Sequence, residues 1–402
     1  MDLHAVTQAA AEMPHVTGYM YPNEAELHWS ILIVIYPYLT GLVAGAFILA
    51  SLERVFNVRV LQPVYRLSLL TALSFLLIAP LPLLAHLGKP ERSYEMFLTP
   101  HSESAMAMFG FVYAWYLMVV LLLEIWFDYR RNFIEWSKTK KAALTRLMYK
   151  VLSLGTTDVS EKALKFDDKV GRIITIIGIP SAFLLHGYVG FIFGSVKANP
   201  WWSSVLMPIV FLFSAIVSGI AMVLLIYMVT SMFRVKEISM PCLNRLAELL
   251  FYALIVDFSL ELLDFIQRLY ESEESIHILS DMISSRLFIS LIVTQIMLGT
   301  LLPIFSIAMA RFGRFPDEMK RVTYLFAALL VQLGIFSTRW NVVIGGQLFS
   351  KSLRGLTTYK LDVFGLEGIL VSGVLLITPF IILAVLSRIL PPWMESGHRA
   401  ST

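Results

Sequence analysis

Nine uninterrupted apolar stretches punctuate the chain, at about residues 29–53, 66–87, 104–127, 173–194, 202–233, 246–267, 284–310, 322–346 and 363–390. Each holds about 20 or more residues, enough for a helix to cross a hydrocarbon core roughly 30 Å thick. A bilayer offers no water to an unpaired peptide group, so only helices or closed barrels span it, and barrel strands need only about ten residues. The sequence therefore predicts an all-α, polytopic transmembrane helical bundle of about nine spans. Composition agrees: 57% of the 402 residues are hydrophobic and the mean hydropathy is +0.72, more than one soluble core can hide.

The basic residues give the bundle a direction. Of 32 lysines and arginines, 23 fall in the loops near residues 54, 128, 234, 311 and 388, and eight in the alternate set. By the positive-inside rule the N-terminus is outside and the C-terminus inside. The first 28 residues carry four acids, no lysine or arginine and no apolar signal core, so they read as a periplasmic N-terminal segment. No repeat or soluble domain interrupts residues 1–402, which read as a single integral membrane domain. The longest connection, 128–172, reads as a cytoplasmic loop. In it Leu144, Leu147, Met148 and Val151 recur beside Lys141, Arg146 and Lys150, the pattern of an amphipathic helix on an anionic leaflet. The net charge of +3 belongs to these inner loops and asks for no nucleic acid. One cysteine, Cys242, cannot by itself hold an iron–sulfur cluster or a zinc ion.

Ionisable groups within spans cost roughly 2.5 kcal/mol or more each, so each needs a reason. The sixth span places Asp257, Glu261, Asp264 and Arg268 at i, i+4, i+7 and i+11, on one helical face. Such a ladder suits proton exchange, the favoured reading, with a static network neutralised by Arg268 and Arg339 as the alternative. Arg339, in the eighth span, is expected to find Asp257 or Glu261, and Asn341 with Gly345 and Gly346 can bring polar groups to a ligand. His86 and His186 are the two histidines within or ending spans. Haem ligation between them, hydrogen bonding and ligand contact are all open on the residues alone. Glu124 and Glu367 can extend a proton path or simply reach water at a span end. Tyr36, Tyr38, Phe183 and Tyr188 offer aromatic walls, or ordinary packing.

Four stretches carry a resemblance: Trp29 to Ala50 (WSILIVIYPYLTGLVAGAFILA), Ala85 to Arg92 (AHLGKPER), Leu184 to Trp202 (LLHGYVGFIFGSVKANPWW) and Arg339 to Gln347 (RWNVVIGGQ). The chain resembles the NrfD/PsrC-like family, the polysulfide reductase membrane subunits, and by length and N-out start is most similar to the Qrc menaquinone reductase membrane subunit. The resemblance implies a multi-pass subunit of the bacterial cytoplasmic (inner) membrane, without haem or iron–sulfur cluster of its own. Its implied partners are a periplasmic ferredoxin-like iron–sulfur subunit, a further catalytic subunit and, in some assemblies, a multihaem cytochrome c. It would exchange electrons between these and menaquinone, with menaquinone reduction the expected direction and proton uptake from the cytoplasm.

On that reading His86, Asp257 and Glu261 are the candidate catalytic groups. His86, His186, Tyr36, Arg339 and Asn341 would contact the quinone, and Asp257, Glu261, Asp264 and Glu124 would lie on the proton path. His86 would sit at the mouth of the cleft, before the turn at Pro90, with Lys89 to Glu103 as part of the docking surface. A proton-coupled secondary transporter explains intramembrane Asp, Glu and Arg as well, but predicts two related halves with broken helices. A purely structural anchor predicts that the acid stripe can be neutralised without loss of turnover.

Overall fold

The structure, a computed structural model, describes residues 17–18, 27–99, 101, 103–234, 237–271, 276–313, 315–350 and 355–393. Most of the expected N-terminal segment therefore lies outside the described residues. In chain order the helices are α1 (Ile31–Arg54), α2 (Gln62–Ile78), α3 (Leu81–His86), α4 (Glu95–Leu98), α5 (Ala105–Trp115), α6 (Leu122–Thr139) and α7 (Ala143–Leu152). Then come α8 (Glu161–Gly194), α9 (Met207–Phe233), α10 (Met240–Glu271), α11 (Ile276–Met282), α12 (Leu302–Phe312), α13 (Asp317–Val343) and α14 (Ile369–Ile389). Two π-helical stretches, Tyr116–Leu121 and Ile283–Leu301, join α5 to α6 and α11 to α12 into continuous rods. The only strands among the described residues are β1 (Thr17–Gly18) and β2 (Gly355–Leu356), paired antiparallel.

Among the described residues, eight helical stretches are long and apolar enough to cross a membrane. The stretch that falls short is α10: its 32 residues reach far enough, but Asp257, Glu261 and Asp264 interrupt its apolar run. This is the physical reason that nine apolar runs in the sequence correspond to eight apolar spanning helices here. The chain is a multi-pass, all-α membrane protein. α8, with 34 residues, is roughly 51 Å long at about 1.5 Å per residue and must project beyond a core of about 30 Å.

α1 is the axis of the bundle: 94% of its apolar window is buried, against 22% for Ile276–Phe312 and for α14, whose apolar side chains face outward. Small residues make this possible. A Cβ on Gly45 would strike the α9 backbone at Ala215 and Gly219, and one on Gly219 would strike Gly45, so the two helices cross backbone to backbone. Gly299 and Gly334 do the same where α13 meets the second π-helical stretch.

The Arg54 end of the bundle is closed by a buried ionic cluster. Arg66 Nε lies 2.6 Å from Asp128 Oδ2, its Nη2 donates to the Asp128 carbonyl at 2.9 Å and to Asn132 Oδ1 at 3.1 Å, and its guanidinium lies 4.2 Å from the Tyr129 ring. Arg130 pairs with Asp167 at 2.6 Å, and Arg54 with Asp168 at 3.3 Å. α7 rests against this end through Tyr149, whose hydroxyl donates to the Ile389 carbonyl, while Leu144, Leu147 and Val151 are exposed and Met148 is half-buried.

Candidate functional site

α10 is an amphipathic helix turned inside out. Asp257 is buried, and Glu261, Asp264 and Arg268 are half-buried on the same face, while Leu262, Leu263, Phe265 and Ile266 are exposed. A bilayer rewards this arrangement because the polar face must find partners inside the bundle. Each does so differently. Asp264 accepts from Arg268 Nε and Nη2, both at 3.0 Å, and from the Ser204 hydroxyl. Glu261 accepts from Gln295 Nε2 at 3.2 Å on both oxygens. Asp257 leaves its Oδ1 buried and unpartnered.

Gln295 stands in the π-helical stretch, where Thr294 and Thr300 bond carbonyls five residues back, at 2.9 and 3.0 Å. Such widened turns are uncommon and recur at functional sites. Gln295 Oε1 accepts in turn from Asn341 Nδ2 at 2.7 Å, and Trp201 Nε1 donates to the Asn341 carbonyl at 2.8 Å. A hydrogen-bonded chain, Glu261–Gln295–Asn341, thus runs across three elements. It borders a cavity of about 190 Å³ whose walls include Trp201, Phe211, Phe258, Phe265, Leu291 and Thr338. Leu262 and Phe265 line the cavity and are 45% and 40% exposed, so its mouth opens toward the exposed apolar side of α10.

Arg339, on α13, is fully buried. Its Nη2 donates to Ser214 Oγ at 2.6 Å and to His186 Nε2 at 3.1 Å, and its guanidinium lies 4.2 Å from the Phe211 ring. Because a guanidinium only donates, Nε2 must be bare and the His186 proton sits on Nδ1, which faces Thr40 Oγ1 at 3.2 Å. The Thr40 hydroxyl donates in turn to the Tyr36 carbonyl at 3.2 Å. Arg339 Nε and Nη1 are buried without partners. The expected ion pair with Asp257 or Glu261 is not formed; those two carboxylates act on Arg339 only at longer range. Its donors go instead to His186 and Ser214, which α8 and α9 bring closer.

The site residues expected from sequence sort into four places. Glu261, Asp264 and Asn341 line the cavity, and Arg339 and His186 pack against its wall at Phe211, with His186 stacked on that ring at 5.7 Å. Tyr36 belongs to a separate aromatic group, edge-on to Phe109 at 5.2 Å, with Phe109 stacked on Tyr188. His86 is at the bundle surface, its Nδ1 3.0 Å from Glu367 Oε1, and is not among the cavity-lining residues. Glu124 is at the Arg54 end, buried under Thr175 and Tyr65, which donate to it at 2.8 and 3.3 Å. The two histidines thus belong to different polar contacts, His186 with Arg339 and Thr40 and His86 with Glu367. Gln295, Ser214 and Thr40 were not singled out by the sequence, although an amide in the run SLIVTQIMLG is a polar group at membrane depth and invites the same question as the acids.

Comparison with known proteins points one way. Residues 21–351 match the family described as polysulphide reductase, NrfD. A subunit of the selenate reductase of Mesobacillus selenatarsenatis is 34% identical over 324 residues, 79% of this chain and 73% of that protein. A putative dimethyl sulfoxide reductase membrane subunit of Halobacterium salinarum is 27% identical over 223 residues, 55% of this chain and 48% of that one. The Hdr-like menaquinol oxidoreductase integral membrane subunit of Archaeoglobus fulgidus is 23% identical over 351 residues, 86% of this chain and 77% of that one. The matched stretch holds α1, the Arg339–His186 pair and the Glu261–Gln295–Asn341 chain, and with it the chain belongs to the polysulphide reductase NrfD family.

Proposed function

We propose that this chain is the quinone-exchanging membrane subunit of a multi-subunit respiratory oxidoreductase. The observation that carries this is the aromatic-walled, lipid-facing cavity with the Glu261–Gln295–Asn341 chain along one edge. Whole-ligand pockets run to about 300 Å³ and above, so a smaller cavity with an apolar mouth suits a flat head group whose tail stays in lipid. The site has an apolar slot, a carboxylate that can take up a proton, and amides that orient a ring oxygen. Arg339 stands behind the Phe211 wall as fixed positive charge and His186 fixes Arg339. Asp257, one turn from Glu261, is the next group on a proton route.

Menaquinone is the proposed substrate. The partners would be a periplasmic ferredoxin-like iron–sulfur subunit, a further catalytic subunit and, in some assemblies, a multihaem cytochrome c. α10 would be a ninth span, with the N-terminus outside, the C-terminus inside and residues 128–172 in the cytoplasm of a bacterial inner membrane. Glu124 would sit toward the cytoplasmic entry for protons. His86, paired with Glu367 beside the Lys89 to Glu103 loop, belongs in this proposal to the docking surface, and Tyr36 to the aromatic packing beneath it.

The names of the relatives, two of them reductases of selenate and dimethyl sulfoxide and one a menaquinol oxidoreductase, support quinol oxidation over the menaquinone reduction expected from sequence. None of the three carries the Qrc name, so the proposal stays at the level of the family.

Binding of a menaquinone analogue to the purified complex, followed by quenching of tryptophan fluorescence, tests the reading. Saturable binding that weakens about tenfold in Asn341→Leu, the loss of one well-placed hydrogen bond, is the expected result. Absence of saturable binding to the native complex would sink it.

A further inference from the structure

The Glu261–Gln295–Asn341 chain has a polarity, and that polarity depends on one proton. When Glu261 is ionised both its oxygens can only accept, so Gln295 must turn Nε2 toward them, as it does at 3.2 Å. Gln295 Oε1 is then free to accept from Asn341 Nδ2 at 2.7 Å. Asn341 Oδ1 is left buried with no partner, on a residue that lines the cavity. An orphan acceptor at a cavity wall suits a hydroxyl donor.

A proton on Glu261 supplies a donor and allows each sense to reverse in turn. The carboxyl O–H donates to Gln295 Oε1, Gln295 Nε2 donates to Asn341 Oδ1, and Asn341 Nδ2 becomes the group without a partner. Turning each amide by half a rotation exchanges its oxygen and nitrogen and leaves every other heavy atom in place. The cavity then offers a donor, which suits a carbonyl oxygen. The two redox forms of a quinone differ at these atoms: the hydroquinone has O–H donors and the quinone has only C=O acceptors.

We propose that Glu261, Gln295 and Asn341 form a polarity relay through which the protonation of Glu261 selects the redox form held in the cavity, the hydroquinone against a carboxylate and the quinone against a carboxylic acid. The proposal rests on the quinone reading above. Gln295 is a positioning residue in it, acting through Glu261 and Asn341. The charged groups around Glu261 are Asp257 and Asp264 on α10, the latter already held by Arg268, and Arg339 on α13. α9 presents Met207, Val210 and Phe211 to the cavity, and the π-helical stretch presents Leu291, Ile292, Gln295 and Ile296, so neither adds a titrating group there. A titration that controls which form binds is therefore assigned to Glu261 with Asp257 as its near neighbour, and the variants separate the relay from the plain charge.

The test is the dissociation constant of menadione and of its anaerobically reduced hydroquinone for the purified complex, read by tryptophan quenching across roughly pH 5–9. In the native complex the ratio of the two constants is expected to shift by about tenfold across that range, the size of one hydrogen bond gained or lost. In Gln295→Leu the ratio is expected no longer to move with pH, whatever the change in either affinity. A native ratio that is flat with pH overturns the proposal, as does a Gln295→Leu ratio that moves as the native one does. Should Gln295→Leu fail to fold, Glu261→Gln serves in its place, and its ratio is expected to be flat. Failure of either form to bind the native complex at all is a different result, and overturns the quinone reading with it.

Discussion

Both ends of the bundle bury arginine, and they treat it in opposite ways. At the Arg54 end, Arg66, Arg130 and Arg54 each have a carboxylate within ion-pair distance, and Arg66 fills its remaining positions with Asn132, a carbonyl and the face of Tyr129. At the other end Arg339 is more deeply buried yet has no carboxylate partner, and two of its nitrogens have none of any kind. Buried charge is tolerated when its hydrogen bonds are filled; where they stay open, the protein forgoes stability for something else. The cluster at the Arg54 end also leaves Arg54 Nε and Asp128 Oδ1 without hydrogen bonds, but each of its arginines has an opposite charge within reach. It reads as a clamp that joins α1, α2, α6 and α8, whereas Arg339 has no such charge and reads as a place where a ligand or a proton completes the set.

The sharpest way to break this contrast is to remove a carboxylate from the clamp. Asp128→Ala takes the partner from Arg66 and a nearby charge from Arg54 while leaving both guanidinium groups buried. A loss of about 3–5 kcal/mol is expected, measured as thermal unfolding of the complex in detergent. Arg339→Met should cost little stability by the same assay, because an apolar side chain of similar length replaces a charge that was never paired. Equal destabilisation by the two substitutions would mean that the ends do not differ in kind.

The same Arg339→Met variant carries the next largest effect, on turnover. A fixed charge behind the cavity wall acts on whatever charge develops at the ring, and losing one preorganised donor of this type lowers quinol-linked electron transfer on the order of a hundredfold. Rates assayed with a soluble acceptor that bypasses the quinone should hardly change. A fall in both rates would place Arg339 in the clamp class after all.

Much of this contrast was legible in the sequence, and the part that was not has a common cause. The i, i+4, i+7, i+11 spacing on α10 put three acids and Arg268 on one face, and the structure turns that face inward; periodicity within one helix is a local property. Arg339 was recognisable as costly for the same reason. What periodicity could not give was who answers it. His186 and Ser214 lie 153 and 125 residues away in sequence, and Gln295 lies 34 from Glu261 and 46 from Asn341. Such bonds exist only once helices have packed. Glu124 shows the limit most plainly: at a span end it invites the expectation of reaching water, but Tyr65 and Thr175 close over it from α2 and α8.

Asp257→Asn comes third. The change is isosteric and removes a charge that has no hydrogen bond on Oδ1, so the fold should keep its stability. If Asp257 relays protons to or from Glu261, turnover falls about tenfold or more, the low end of the range for losing a proton-transfer group, and the loss should be greatest when proton release limits the rate. Unchanged turnover would move Asp257 to the static network and leave Glu261 to work alone.

The smallest effect is expected at His86, and it is the most direct check on dividing the end opposite Arg54 into a cavity and a surface. His86 is paired with Glu367 across a partly exposed contact, side-chain exposures 24% and 42%, and exposed pairs are worth about 0–1 kcal/mol. It shares no hydrogen-bond partner with Glu261, Gln295 or Asn341. His86→Ala should therefore leave the affinity for a menaquinone analogue within about twofold of native, a difference below about 0.5 kcal/mol. If the surface pair docks the proposed iron–sulfur subunit, its effect falls on that association, seen as weaker co-purification at raised salt. A tenfold loss of quinone affinity in His86→Ala would instead draw the surface pair and the aromatic group at Tyr36 into the site, and the open end of the bundle would have to be redrawn around α1, α3 and α14 rather than around α10 and α13.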